Sequence, residues 1–394
     1  GEDLAGSFGA AEFVSWYDGH PDVNPAFPLT ARRAAVVGVG NVALDVARML
    51  VRTPEQLEAT DIPEHVREGF AGNVAQVVSV VGRRGPEYAK FTPLELREMA
   101  KIEGVTVVVD PDDLDYDDDN DAPAHSAATR AARELRESDR RVGQVCAQLE
   151  KWAGAQRDAG HATADEAETA ALAAGDKVVR FRFNRAPVEI IGGGEAGAGG
   201  RADSETDGGA ESGAAARVSA LRLEITEPTA DSGVRGTGRT EDLPVEAVFR
   251  AVGYRSSSLE GVPFADQTAT IPNHEGRVLD APDGDPIPGL FTAGWVKRGP
   301  TGVIGTNRSC AVETVGHLTE DLAAGTLPDP ADGDAQSVRE LLLELGVEVV
   351  DGRAWLAIDE HEKGLGEAAG RERTKLPNRA AMIAVAGGVS RCQQ

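Results

Sequence analysis

Residues 35–48, AVVGVGNVALDVAR, restrict the possible folds of this chain more than any other stretch. They read as a short buried strand, a glycine turn and an amphipathic helix whose apolar stripe is Val42, Val46, Met49 and Leu50. Gly38-Val39-Gly40-Asn41-Val42-Ala43 matches G-x-G-x-x-G/A, a pattern with a physical reason at each fixed position. Gly38 permits the tight turn out of the strand. Gly40 removes a Cβ where backbone amides must approach a pyrophosphate, and Ala43 keeps the helix close to the sheet. The helix N-terminus adds partial positive charge. A dinucleotide site is expected here; the alternative is a strand-to-helix turn with a purely structural role.

The sequence around this unit continues it as an alternating pattern. Strand 34–37 is followed by a helix to about Arg52, and Thr53-Pro54 opens a short second helix. Strand Val77–Val81, a helix opened by Thr92-Pro93-Leu94-Glu95 and running through Ala100, and strand Val105–Val109 come next. Such alternation implies a parallel α/β sheet. Later strands are expected at Val178–Phe183, Pro187–Ile191, Val218–Thr226 and Val245–Val252. Residues 110–125 read as a solvated acidic connector without the spacing of a calcium loop, and 126–157 as a charged helical stretch. A glycine-rich turn after Trp295 leads into a helix from about Asn307.

Composition narrows the class. The 394 residues are 41% apolar and 27% charged, as in a globular protein with room for two domains. No run of about 18 apolar residues is present, so no membrane-spanning helix is expected. The formal charge of −25 disfavours nucleic-acid binding and makes local basic clusters informative. Cys146, Cys310 and Cys392 form no metal or C-x-x-C pattern, which fits a cytoplasmic setting and no metal site.

Three constellations carry chemistry. Arg83-Arg84 ends the second strand of the alternating unit, where arginine accommodates the 2′-phosphate of NADP and an acidic residue would read the ribose of NAD. Guanidinium binds such a dianion bidentately; the alternative is a solvated arginine pair. Glu95 lies in the first turn of a helix, where capping is favoured over a contact to the nicotinamide nucleotide on pattern alone. Trp295 with Gly302-Val303-Ile304 forms a second glycine-rich approach to a helix N-terminus, suited to a phosphate or ring system or, equally, to core packing.

Together these segments resemble the adrenodoxin reductase-type ferredoxin–NADP reductases, a flavoprotein family of mitochondria and actinobacteria. The resemblance runs from GEDLAGSFGAAEFVSWYDGHPD to AWLAIDEHEKGLGEAAGRERTKLP, and its most specific pieces are VGVGNVALDVAR, VVGRRGPEYAKFTPLELREM and AGWVKRGPTGVIGTN. It implies two Rossmann-like nucleotide-binding domains of the glutathione-reductase type. Residues 31–255 would be the NADP domain with a flexible insertion at 192–216, residues 256–394 a return into the FAD domain, and 1–30 a linker. It implies that Val39, Gly40, Asn41 and Val42 line the NADP pyrophosphate and that Arg83 and Arg84 bind the 2′-phosphate. Glu95 would serve catalysis beside the nicotinamide, while Trp295, Gly302, Val303 and Ile304 contact FAD, Gly302 also lying near the nicotinamide nucleotide. The implied activity is hydride transfer between NADPH and FAD followed by single-electron transfer to a ferredoxin-type iron–sulfur protein. Arg130, Arg133, Arg136, Arg140 and Arg141 are candidates for docking that partner. The family's own FAD glycine motif would precede Gly1, so a truncated chain with an incomplete FAD site is expected. The rival readings are a glutamate synthase small-subunit-like flavoprotein and a non-catalytic NADP-binding fragment. Ala89-Lys90-Phe91 stands where two alanines and Phe are usual, which places an extra cation near the nucleotide.

Overall fold

The computed structural model describes residues 1–114, 123–193, 216–229, 233–302, 304–330, 333–347 and 349–387. The contacts divide the chain into two units, Gly1–Val252 with the segment from Val350 onward, and Gly253–Val349.

The first unit begins with β1 (Ser7–Gly9), α1 (Ala10–Tyr17), β2 (Arg33–Val37), α2 (Asn41–Val51), α3 (Pro54–Leu57) and α4 (Glu64–Ala71). It continues with β3 (Val77–Val81), α5 (Pro93–Met99), β4 (Val105–Val109), α6 (Pro123–Ser138), α7 (Arg140–Asp158), α8 (Ala164–Ala174) and β5 (Lys177–Arg182). Strands β6 (Arg185–Gly193), β7 (Arg217–Pro228), β8 (Val234–Pro244) and β9 (Ala247–Arg250) follow. Among the described residues six strands form an all-parallel sheet in the order β1-β9-β2-β3-β5-β4. Strand β2 therefore has β3 on one side and β9 on the other. That change of direction opens a crevice beyond the carboxyl ends of the strands, where ligands of such sheets bind.

Alternating side chains cover the two faces differently. Val36, Val78, Val80, Val179 and Phe181 pack with Ala43, Leu44, Val46, Ala47 and Leu50 of α2. Each fully buried Leu or Val of this kind contributes roughly 1.5–3 kcal/mol. On the opposite face Ala35, Val37, Val81 and Val248 meet Val218, Leu221, Leu223 and Leu243 of the antiparallel sheet β6-β7-β8. Further along, Val77, Val108 and Val178 meet Ala164, Ala167 and Ala171 of α8. The parallel sheet is thus covered by helices on one side and by a second sheet plus one helix on the other.

The second unit contains an antiparallel sheet of β10 (Asn273–His274), β11 (Arg277–Leu279) and β12 (Pro286–Phe291). Helices α9 (Trp295–Arg298), α10 (Ile304–Ala324) and α11 (Ala335–Glu344) follow. Helices α12 (Gly352–Ala368) and α13 (Arg379–Val385) return to the first unit. There Arg371 donates to the Ile62 carbonyl, Lys375 to the Asp18 carbonyl, and Arg379 pairs with Asp22.

Several sequence expectations change. Residues 1–30, read as a linker with a helical patch from Ala10 to Trp16, hold that helix as α1 and add an edge strand, with Phe13 and Trp16 fully buried among Phe27, Phe70 and Phe249. The segment from Val350 joins the first unit instead of the second, held by the polar ties just named. The stretch 126–157 is two helices, because Asp139 caps α7 through the N–H groups of Arg141 and Val142. Asp113, within the acidic connector, is buried and accepts from the Phe183 N–H. Helix α10 starts at Ile304, ahead of Asn307. Strand β8 has no apolar alternation to announce it; it is a mostly exposed edge strand held by β7. Of the insertion expected at 192–216, Gly192 and Gly193 end β6, and residues 194–215 lie outside the described residues.

Candidate functional site

At the carboxyl end of β2 the chain turns sharply. Gly38 has φ of +134° and donates its N–H to the Val81 carbonyl at the end of β3. Gly40 precedes α2 with φ −108° and ψ 175°, extended backbone that any residue adopts, yet a Cβ there would meet nothing within 4 Å. The glycine is therefore not needed by the fold, and the open space faces the start of α2, which no side chain caps. An uncapped helix N-terminus beside a Cβ-free approach is what a pyrophosphate requires.

The next strand contributes the basic end. Arg83 is exposed and Arg84 half-buried just beyond β3, and among the described residues no carboxylate lies within salt-bridge distance of either. Their backbone is braced from elsewhere. Gly82 donates to the Arg182 carbonyl at 2.8 Å, Arg185 N–H to Gly82 at 2.9 Å, and the Thr226 hydroxyl to the Arg83 carbonyl at 2.8 Å. In a chain of net charge −25, two unneutralised arginines on a fixed loop fit a phosphate dianion.

Glu95 is brought to the same edge by two cross-links. Lys90 N–H donates to the Val39 carbonyl at 2.8 Å, and Thr92 N–H donates to Asn41 Oδ1 at 2.9 Å. The second bond also corrects the capping expectation. A Glu95 cap would accept the Thr92 N–H, but Asn41 has taken it, and Glu95 Oε2 is buried with no hydrogen-bond partner. An unsatisfied buried carboxylate oxygen is costly unless a ligand donates to it. Beside it, burial pushes the Asp45 carboxyl up, against Arg48, and the Glu95 charge adds to that push. Val39, Gly40, Asn41, Val42, Arg83, Arg84 and Glu95 thus converge beyond the carboxyl ends of the central strands β2 and β3, and their unspent groups fit NADP(H).

Trp295, Gly302 and Ile304 belong to the second unit, and Val303 lies outside the described residues. Trp295 opens α9, is 41% exposed and stacks on Tyr254 at 5.5 Å. Gly294 and Gly302 both have positive φ, 76° and 89°, and Gly302 shortly precedes α10, which begins at Ile304. An exposed ring and the N-terminus of a long helix are features that a flavin and its phosphates use. Among the described residues no His/Cys/Asp/Glu group is arranged to hold a metal, and no helix is long and apolar enough to cross a membrane.

Two side chains of the arginine cluster on α6 and α7 brace the structure. Arg136 pairs with Glu150, joining the two helices, and Arg141 donates to the Ala89 carbonyl at 2.8 Å. Arg141 therefore anchors the loop between Arg84 and Glu95, a role that sequence spacing did not signal. Thr226 is a second such residue, 143 positions from the carbonyl it holds.

No family model matches the chain. It is 37% identical to the NADPH-ferredoxin reductase FprA of Mycobacterium leprae, over 98% of this chain and 74% of that protein. It is 33% identical to the mitochondrial NADPH:adrenodoxin oxidoreductase of Arabidopsis thaliana, over 95% of this chain and 71% of that protein. The solved structure of Mycobacterium tuberculosis FprA in complex with NADPH matches with a TM-score of 0.76 at 36% identity, covering 98% of this chain and 75% of that one. The chain belongs to the adrenodoxin reductase-type family of NADPH–ferredoxin reductases.

Proposed function

We propose that the chain works in NADPH-driven reduction of a ferredoxin-type iron–sulfur protein, with FAD and NADP(H) as its cofactors. The observation that carries this reading is the unneutralised Arg83-Arg84 pair one strand away from the uncapped N-terminus of α2. In this assignment Val39, Gly40, Asn41 and Val42 hold the pyrophosphate through backbone amides and the helix dipole. Arg83 and Arg84 hold the 2′-phosphate, which selects NADPH over NADH. Glu95 receives the nicotinamide end, its unpartnered oxygen accepting from the ribose or carboxamide. Asn41 fixes the start of α5, and so Glu95, relative to the glycine turn.

Trp295, Gly302, Val303 and Ile304 are assigned to FAD, and with them the unit Gly253–Val349 to flavin binding. When bound, FAD supplies the conversion between a two-electron hydride and single electrons. The exposed Arg130, Arg133 and Arg140 are assigned to an acidic ferredoxin surface. A cytoplasmic setting is proposed from the cysteine usage.

The test follows NADPH oxidation coupled to ferredoxin reduction with FAD supplied, alongside NADP⁺ and NAD⁺ titrations of the chain. NADPH is expected to be preferred strongly over NADH and to reduce the ferredoxin. Equal affinity for NADP⁺ and NAD⁺ would sink the assignment.

A further inference from the structure

The guanidinium carbon of Arg84 sits 5.1 Å from the centroid of the Tyr88 ring. We propose that Tyr88 is a positioning residue for nucleotide selectivity, its ring holding Arg84 in the orientation that meets a 2′-phosphate. This inference rests on the reading of Arg83-Arg84 as the 2′-phosphate site.

The ring is mounted on a braced turn. Tyr88 closes a single helical turn, Pro86–Tyr88, with its N–H on the Gly85 carbonyl at 3.1 Å and the following Ala89 N–H on Pro86 at 3.1 Å. Pro86, Glu87 and Ala89 are buried on either side of it. One residue further on, the Ala89 carbonyl is held by Arg141 and the Lys90 N–H by Val39. Tyr88 is therefore followed at once by two anchored points, the second of them tied to the glycine turn itself.

Holding an arginine through a ring differs from holding it through a carboxylate. An Asp or Glu would fix the side chain but neutralise the charge that the phosphate needs. The face of an aromatic ring attracts the cation through its quadrupole and does not use up the guanidinium N–H groups as a carboxylate would, which leaves them available to oxygen. A long side chain that is already ordered loses less freedom when ligand binds, so selectivity rises without a new ligand contact. Arg84 is half-buried and partnered by the ring, which makes it the preset member of the pair, with Arg83 exposed beside it.

The experiment measures NADP⁺ and NAD⁺ affinities of the full 394-residue chain by titration calorimetry. The variants are Tyr88→Phe, Tyr88→Leu, Tyr88→Gln, Arg84→Ala and Arg84→Ala with Tyr88→Leu, each checked by thermal melting. Tyr88→Phe should keep the preference. Tyr88→Leu and Tyr88→Gln should lower it about two- to fivefold, the range of a partly exposed cation–π contact, by weakening NADP⁺ and leaving NAD⁺ unchanged. In the Arg84→Ala background Tyr88→Leu should have no further effect. If Arg84→Ala changes the preference but neither Tyr88→Leu nor Tyr88→Gln does, the positioning role is wrong and the phosphate site stands. Equal weakening of both nucleotides by the Tyr88 variants would reduce Tyr88 to a structural part and overturn the proposal. No change in Arg84→Ala would remove the phosphate assignment and this proposal with it.

Discussion

The two glycines of the turn after β2 should fail in opposite ways when each is given a methyl group. In Gly38→Ala the new Cβ would overlap the Ala251 carbonyl oxygen and lie 2.9 Å from its carbon. Both are backbone atoms, and they are fixed because Ala251 N–H donates to the Val37 carbonyl at 2.8 Å. With φ at +134°, an L-residue adds about 1–3 kcal/mol of backbone strain. Overpacking against a backbone that cannot move adds about 1–3 kcal/mol more. The sum, about 2–6 kcal/mol, is a large part of the roughly 5–15 kcal/mol by which domains are stable. In Gly40→Ala the backbone is already extended and the Cβ meets nothing, so folding is unchanged or gains about 0.4–1 kcal/mol. The methyl instead occupies the approach to α2, and losing one charge-assisted amide contact, about 1.5–3 kcal/mol, weakens NADP⁺ roughly ten- to hundredfold. Urea unfolding followed by circular dichroism, with NADP⁺ titration of each variant, separates the two effects. A Gly40→Ala chain that binds NADP⁺ like the parent would refute the phosphate assignment. An unchanged unfolding midpoint for Gly38→Ala would refute the argument from backbone geometry.

Removing both arginines in Arg83→Ala/Arg84→Ala should cut the NADPH over NADH preference about a hundredfold in steady-state kinetics. This is the lower end for two charged contacts, because Arg83 is exposed; an unchanged ratio contradicts the site. Asn41→Ala leaves the Thr92 N–H without its acceptor and should cost about 1–3 kcal/mol, while Asn41→Asp keeps most of the stability in the same melt. Asp113 gives a pH signature: burial pushes its carboxyl from 3.8 up to about 7, against the Phe183 N–H and Arg185. The native state then binds more protons than the unfolded chain between those values, so this group's contribution to stability falls as pH rises through that window. Asp113→Asn should flatten that part of the pH–stability curve measured by urea unfolding, and an equally steep slope in the variant would show that another group is responsible.

The alternating core was legible from composition and period alone. Strands β3 and β4 fall where β-branched runs placed them, and α2 and α5 begin where a glycine turn and Thr92-Pro93 placed them. Those signals are local: a proline at a helix start or a run of valines states its preference to its own neighbours. Strand β8 carried no such signal because its residues are polar and its hairpin neighbour β7 holds it, and the burial of Asp113 carried none because its partner Phe183 lies 70 positions away. The edge strand β1 and the burial of α1 carried no such signal either, since Phe13 and Trp16 find aromatic partners at Phe70 and Phe249.

The candidate site divides along the same line. The residues proposed to bear the chemistry, Val39 to Val42, Arg83-Arg84 and Glu95, are nominated by motif and position in the sequence. How they are held is not. Asn41 meets Thr92 across 51 positions, Arg141 meets Ala89 across 52, and Thr226 meets Arg83 across 143. A hydrogen bond between residues so far apart depends on the parallel packing of strands that brings their loops to one edge. Tertiary structure alone therefore decided that Glu95 Oε2 has no hydrogen-bond partner while Asn41 holds the Thr92 N–H, and that Arg141 braces the loop at Ala89.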